Sequence, residues 1–300
     1  MLRVLSRFRL ALPLLLLALG SSVLVQAQQA GNPARDWPGY TGVSQVALQV
    51  LDLERSQQFY TRLFGREGWR QRDGEAVHFK LGDSVLTLLA HGNAGTAYVG
   101  FGLETYDAPR LTAFLEHQAL SVAAPTTLLA LRVDDHRNAM QIRLTPRDYA
   151  EHLRDADETV ELEEVSTTTT VPIFQALSFD ELFLTVTDLE VDSLFYARLL
   201  NQAGTLQAGS LWYTLGKASL RVTQAPVGQT PGVNYFAVLV SATDLNAAAN
   251  AIFDAGGIIE TLLPNGFTFW DPDGNRVLVR TTLQVLDKSW SVPLRTDGTY

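Results

Sequence analysis

The chain repeats itself, and nothing else in the sequence constrains its fold as tightly, because a second copy of a pattern implies a second copy of a supersecondary unit. Val46-Ala47-Leu48-Gln49-Val50-Leu51-Asp52-Leu53-Glu54 returns as Leu182-Phe183-Leu184-Thr185-Val186-Thr187-Asp188-Leu189-Glu190, and Phe59-Tyr60 returns as Phe195-Tyr196, each 136 positions on. Phe79-Lys80-Leu81-Gly82 matches Tyr213-Thr214-Leu215-Gly216, and Tyr98 with Asp107 matches Tyr235 with Asp244, at separations that drift by one or two residues. Such drift marks a change in loop length within one fold. The copies run from about 43 to 147 and from about 178 to 283.

Within each copy the apolar period switches between strand and helix. Val46, Leu48 and Val50 alternate with Gln45, Ala47 and Gln49, as in a strand with one apolar face. Asp52 stands where a helix N-cap would, ahead of Leu53–Phe64 with Phe59, Leu63 and Phe64 on one side. Glu75–Leu81 and Ser84–Ala90 read as a hairpin turning at Gly82-Asp83. A second unit starts at Tyr98, continues into a helix from Asp107, and ends in a hairpin of Leu128–Val133 and Ala139–Leu144. Each copy is thus expected to be α+β, β-α-β-β twice over. Its helices should lie on one side of a sheet whose other face is free, with Phe59, Leu63, Phe195 and Leu199 buried beneath them.

The flanks set the context. Arg3, Arg7 and Arg9 precede an apolar run from Leu10 to Leu19 and the small-residue end Val25-Gln26-Ala27, the pattern of a secretory signal cleaved after Ala27. The run is shorter than the roughly 20 residues that cross a bilayer. The expectation is a periplasmic or secreted mature chain with no stable membrane anchor. With no cysteine there is no lipid attachment at a thiol, no disulfide and no thiolate metal site. Loss of residues 1–27 removes three arginines and no acid, so the mature chain is more acidic than the −9 of the whole. Such a surface repels phosphate backbones and argues against nucleic-acid partners. Residues 148–177, acidic from Asp155 to Glu164 and hydroxyl-rich to Thr170, read as a linker or, over Val165–Val171, as an edge strand; 284–300 is a tail.

The segments "VALQVLDLERSQQFYTRLFG" (Val46–Gly65), "LFLTVTDLEVDSLFYARLL" (Leu182–Leu200) and "FWDPDGNRVLV" (Phe269–Val279) resemble the vicinal oxygen chelate superfamily, which includes glyoxalase I, bleomycin resistance proteins and extradiol dioxygenases. The resemblance implies tandem glyoxalase-like domains, each built of two βαβββ modules. It also implies a divalent metal held by histidines near the start of a module's first strand and a glutamate in its last. At those positions this chain has Gln45 and Glu181, Tyr98 and Tyr235, and Leu278, with Gln141 as the first-copy counterpart of Leu278. All five histidines (His78, His91, His117, His136, His152) fall elsewhere. A catalytic metal site wants about three imidazole or carboxylate ligands, so no cofactor is expected, and a divalent metal would have to rest on atypical ligands.

Strand parity assigns Gln45, Gln49, Tyr98, Gln141 and Arg143 to the free face of the first copy, and Glu181, Thr185, Tyr235, Arg276 and Arg280 to that of the second. Aromatic and hydrogen-bonding groups together suit a small-molecule cleft, and Glu181 with Tyr235 is the candidate acid–base pair if there is catalysis. Solvated polar residues on an open sheet, with Glu181 and Arg280 as a structural bridge, are the competing reading. His136 is expected to be exposed and His78 to face solvent by default, with the first cleft as its alternative because nothing fixes its parity; Asp271-Pro272-Asp273-Gly274-Asn275 is expected to be a hairpin turn and no calcium loop. The expectation is an exported, metal-free small-molecule-binding protein, monomeric because the second copy supplies the partner of the first. A metal-dependent lyase, isomerase or dioxygenase, and a structural or interaction module with a degenerate cleft, are the alternatives.

Overall fold

The computed structural model describes residues 37–71, 74–127, 130–156, 171–241 and 244–281. The signal-like segment, most of the acidic connection and the tail lie outside the described residues. The first copy comprises β1 (Tyr40–Val50), α1 (Leu53–Phe64), β2 (Trp69–Arg70), β3 (Ala76–Leu81), β4 (Ser84–Ala90), β5 (Gly95–Leu103), α2 (Ala108–His117), β6 (Val122–Thr127), β7 (Ala130–Asp135) and β8 (Met140–Pro146). Helix α3 (Tyr149–Ala156) follows, at the start of the stretch read as linker. The second copy comprises β9 (Ala176–Val186), α4 (Leu189–Leu200), β10 (Thr205–Gln207), β11 (Ser210–Leu215), β12 (Ala218–Gln224), β13 (Gly232–Val240), α5 (Leu245–Asp254), β14 (Ile258–Leu263), β15 (Gly266–Trp270) and β16 (Arg276–Thr281).

Each copy forms an eight-stranded sheet with the same strand order, β2-β3-β4-β1-β5-β8-β7-β6 and β10-β11-β12-β9-β13-β16-β15-β14. These are two βαβββ modules joined through the antiparallel pairs β1–β5 and β9–β13. Two edge strands escape the periodicity reading: β2 has only two residues, and the β6 sequence Val-Ala-Ala-Pro-Thr-Thr has no apolar–polar alternation. Helices start where the sequence places them: Asp52, Asp107, Asp188 and Asp244 each accept hydrogen bonds from backbone N–H groups of the first turn.

The outer face of each sheet is its core. Tyr60 and Phe64 of α1 pack on Phe79, and Val46, Leu48 and Val50 point to the same side. Of the four residues expected beneath the helices, Phe59, Leu63 and Leu199 are buried but Phe195 is only half-buried. Phe59 packs against Phe269; the register that pairs Phe269 with Val277 and Val133 with Ile142 puts the smaller Val133 at the mirror position. The ring that goes fully under in both helices is the next one, Tyr60 or Tyr196.

The copies meet through two mirror-related contacts. Tyr60 Oη donates to Asp271 Oδ2 at 2.8 Å, and Tyr196 Oη to Asp135 Oδ2 at 3.1 Å. Ser56 donates to Asp273, and Arg55 pairs with that carboxylate at 2.9 Å; in the mirror contact Arg137 Nε donates to Asp192 at 2.8 Å. Asp271 also accepts from Asp273 N, Asn275 N and Asn275 Nδ2, so the Asp-Pro-Asp-Gly-Asn segment is a hydrogen-bonded turn as expected, and it presents its two carboxylates to the other copy's helix. At the far end of the seam the β3–β4 turn meets the start of β9, and the β11–β12 turn meets the start of β1. Gly82 and Gly216 are in the left-handed region there, and a Cβ on either would collide with a backbone carbonyl of the opposite copy.

Candidate functional site

In the second copy the inner face, opposite the helices, is assembled by β9, β12, β13 and β16. Tyr235 Oη donates to Glu181 Oε1 at 2.7 Å, while Arg280 pairs with Glu181 Oε2 at 2.7 Å and with Asp180 at 2.8 Å. Glu181 is 1% exposed, so the three groups form a buried network in which each polar atom depends on the others. Burial pulls the Arg280 guanidinium down, but Glu181, Tyr235 and Asp180 outweigh it and hold it above its usual value. Burial, then the Glu181 charge, pushes the Tyr235 phenol far up. The phenol thus donates its hydrogen bond to a carboxylate that also pairs with an arginine.

Around the network the wall is apolar: Phe183, Tyr235, Ala237 and Leu278 form one buried cluster, with Leu263 packed against it. Strand pairing aligns a row across the sheet, Trp212 opposite Arg221, Arg221 opposite Phe183, Phe183 opposite Tyr235, and Arg276 opposite Trp270. Each cation of the row lies between two rings: Arg221 lies 4.2 Å from the Phe183 centroid and 5.4 Å from that of Trp212; Arg276 lies 5.7 Å from Tyr235 and 5.8 Å from Trp270. Arg276 is further held by Glu260 at 2.6 Å and Asn234 at 2.9 Å. Thr185 donates to the Gly232 carbonyl at 3.2 Å. Parity therefore brought Glu181, Tyr235, Arg276 and Arg280 to one face, while Arg221, Trp212 and Trp270 went unnoticed, since nothing local fixed the parity of β11, β12 and β15.

In the first copy Gln45 Nε2 donates to Thr87 Oγ1 at 2.7 Å and Tyr98 Oη at 3.2 Å, and His78 Nδ1 lies 3.0 Å from that threonine oxygen. His78 is 4% exposed and tilted against Trp69, which corrects the expectation of a solvent-facing histidine; His136 is exposed in its turn. Arg143 sits 3.4 Å over the Tyr98 ring, its Nε donating to Gln141 at 3.1 Å, and Gln49 is half-buried further along β1. Helix α3 crosses this face: Lys80 pairs with Glu151, and Tyr149 is buried beside Arg143 and Gln45 with its phenol pushed by burial up to about 12.

Sheet register corrects one positional equivalence. Gly100 pairs with Arg143 as Ala237 pairs with Leu278, so the counterpart of Leu278 is Arg143 and not Gln141; by the same register Arg280 aligns with Thr145. Arg143 lies eight residues beyond Asp135 whereas Leu278 lies seven beyond Asp271, the two aspartates that accept from the seam tyrosines.

No family model matches the chain, and no curated protein matches it in sequence. Solved structures do. The chain is similar to the 2,3-dioxygenase LapB from Pseudomonas sp. KL28, with 16% identity and TM-score 0.58 over 82% of this chain and 93% of that one. It is similar to the Mn(II)-bound glyoxalase from Novosphingobium aromaticivorans, with 15% identity and TM-score 0.59 over 82% and 84%. It is also similar to the homoprotocatechuate 2,3-dioxygenase from Arthrobacter globiformis, with 14% identity and TM-score 0.57 over 82% and 80%. At these identities the likeness is one of fold: the chain carries tandem vicinal-oxygen-chelate-type domains, α+β, each of two βαβββ modules.

The fold implies a divalent metal, and the residues at hand do not fit one. The three positions in the second copy hold a carboxylate bound to Arg280, a protonated phenol and the apolar Leu278; those in the first hold an amide, a phenol and the guanidinium of Arg143. A fixed guanidinium beside each set opposes a cation. Among the described residues no three of His, Cys, Asp and Glu cluster as ligands.

Proposed function

We propose that the protein is an exported small-molecule-binding protein that uses the inner face of its second copy and needs no metal. The observation that carries this reading is the pairing of a polar network, Glu181–Tyr235–Arg280, with the aromatic and apolar wall of Phe183, Leu278, Trp212 and Trp270. Fixed polar groups in a largely apolar surround are what orient a small ligand. Export rests on the Arg-rich start, the short apolar run and Ala27. A monomer in solution rests on the seam between the copies. The chemistries of the dioxygenase and glyoxalase neighbours are not carried over, because the donor sets that would support them are absent from the matching positions.

For the first copy a second reading is favoured by one observation: Tyr149 of α3 occupies its inner face beside Gln45 and Arg143. We read that copy as a scaffold with a filled cleft. Elemental analysis of chelator-free protein, followed by a thermal-shift screen of small polar and aromatic compounds, tests both statements. The expected result is no stoichiometric metal, and hits that respond to Tyr235→Phe and not to Tyr98→Phe. Stoichiometric iron, zinc, nickel or manganese overturns the metal-free reading, and a broad screen without hits overturns the binding reading.

A further inference from the structure

Three arginines reach the inner face of the second copy, and two are matched by acids: Arg280 by Asp180 and Glu181, and Arg276 by Glu260. Arg221 is not. It is 5% exposed, its Nε donates to the buried Ser210 Oγ at 3.0 Å, and its guanidinium is held between Phe183 and Trp212. No carboxylate among the described residues pairs with it, and its two terminal nitrogens have no hydrogen-bond partner among them.

A guanidinium carries five donors in one plane, and burying its charge is costly unless an acceptor meets it. The Ser210 bond and the flanking rings fix that plane and leave both terminal nitrogens, the two prongs of a bidentate fork, without an acceptor among the described residues. That edge matches a carboxylate. The second acid on Arg280 balances the charge of the face as a whole, yet it is turned toward Arg280 and leaves the Arg221 fork unfilled. Along the same row the half-buried Trp212 and Trp270 offer ring surface to a flat apolar body, while Phe183 and Tyr235 are buried behind them.

We propose that Arg221 is an anion-binding residue of this cleft, taking the carboxylate of a small molecule whose flat apolar part lies along the aromatic row. The proposal rests on the reading of the second copy as a binding cleft and names the ligand's chemical class. The experiment uses the full chain and two probes of one shape, benzoate and its uncharged amide, with affinities measured by calorimetry for wild type, Arg221→Gln and Arg221→Lys. Wild type should bind benzoate roughly tenfold or more above benzamide, the usual worth of a charge-assisted hydrogen bond. Arg221→Gln should bring benzoate down to the benzamide level and leave benzamide unchanged, with Arg221→Lys between. Should Arg221→Gln fail to fold, the benzoate-to-benzamide ratio of the wild type still decides. Equal affinity for the two probes, benzoate binding unaltered by Arg221→Gln, or no benzoate binding at millimolar concentration overturns the proposal. Other screen hits that bind without regard to Arg221 would leave the binding reading standing, which separates the two failures.

Discussion

The two inner faces share one strand order and differ in chemistry. In the first copy Gln45, Thr87, Tyr98 and His78 form a hydrogen-bonded cluster without a carboxylate, with Tyr149 beside it. In the second, Glu181 and Tyr235 stand at the positions of Gln45 and Tyr98 and join an ion network with Arg280 and Asp180, set in an aromatic wall. The seam between the copies shows the opposite behaviour, with each half repeating the tyrosine-to-aspartate contact of the other. Duplication conserves geometry where both copies must still fit each other and frees it where each faces only its own cleft.

The sharpest way to break the comparison is to remove the acid from one face and its neutral counterpart from the other. Glu181→Leu leaves Arg280 with Asp180 alone and Tyr235 without an acceptor, and should destabilise by about 3–5 kcal/mol, the usual cost of breaking a buried ion pair from one side. Gln45→Leu removes only neutral hydrogen bonds and should cost about 1–3 kcal/mol. Urea unfolding monitored by tryptophan fluorescence measures both; equal costs would mean that the two faces are electrostatically alike.

The seam gives the intermediate case. Tyr60→Phe and Tyr196→Phe keep the ring and remove one donor to a buried carboxylate, so each should cost about 1.5–3 kcal/mol, and the two values should agree within about 0.5 kcal/mol. A large cost at one position with none at the other would show that the symmetry of the seam is geometric and not energetic. Sedimentation of either variant should match that of wild type, since the remaining half of the seam and the glycine turns are untouched.

How much of this was legible in the sequence follows from the range of each interaction. The four helix starts were, because an N-cap aspartate and the amides it serves are within three residues of each other. The strand faces around Glu181 and Tyr235 were, because alternation is local. The turn at Asp271 was readable as a turn, but its service to Tyr60 was not: the partners are more than 200 residues apart and leave no periodic trace. Arg221 was missed for a related reason, since its meaning comes from which side of β12 it occupies and from the acids already taken by Arg276 and Arg280. Phe195 was misjudged because the repeat promised equivalence to Phe59, while the residue facing Phe59 is a phenylalanine with only a valine at its mirror position.

The smallest expected effect is a pH dependence at the seam. Burial, only partly offset by the Asn275 and Tyr60 donors, lifts the Asp271 carboxyl above its ordinary value of 3.8. A carboxyl harder to ionise in the folded chain than in the unfolded one keeps its proton at a pH where the unfolded chain has lost it. Its contribution to stability is therefore fully present below the unfolded value and is lost as pH rises through the folded value. Acidification from neutrality toward pH 4 should accordingly favour the folded state at this site, against the general trend for carboxylates held in ion pairs. Asp271→Asn abolishes the titration, whatever it does to baseline stability. The stability of wild type minus that of the variant, from urea unfolding at a series of pH values between 7 and 4, should rise as pH falls. A difference that stays flat or declines would mean that the hydrogen bonds from Asn275 and Tyr60 outweigh burial and that the seam relies on Asp271 as an ion.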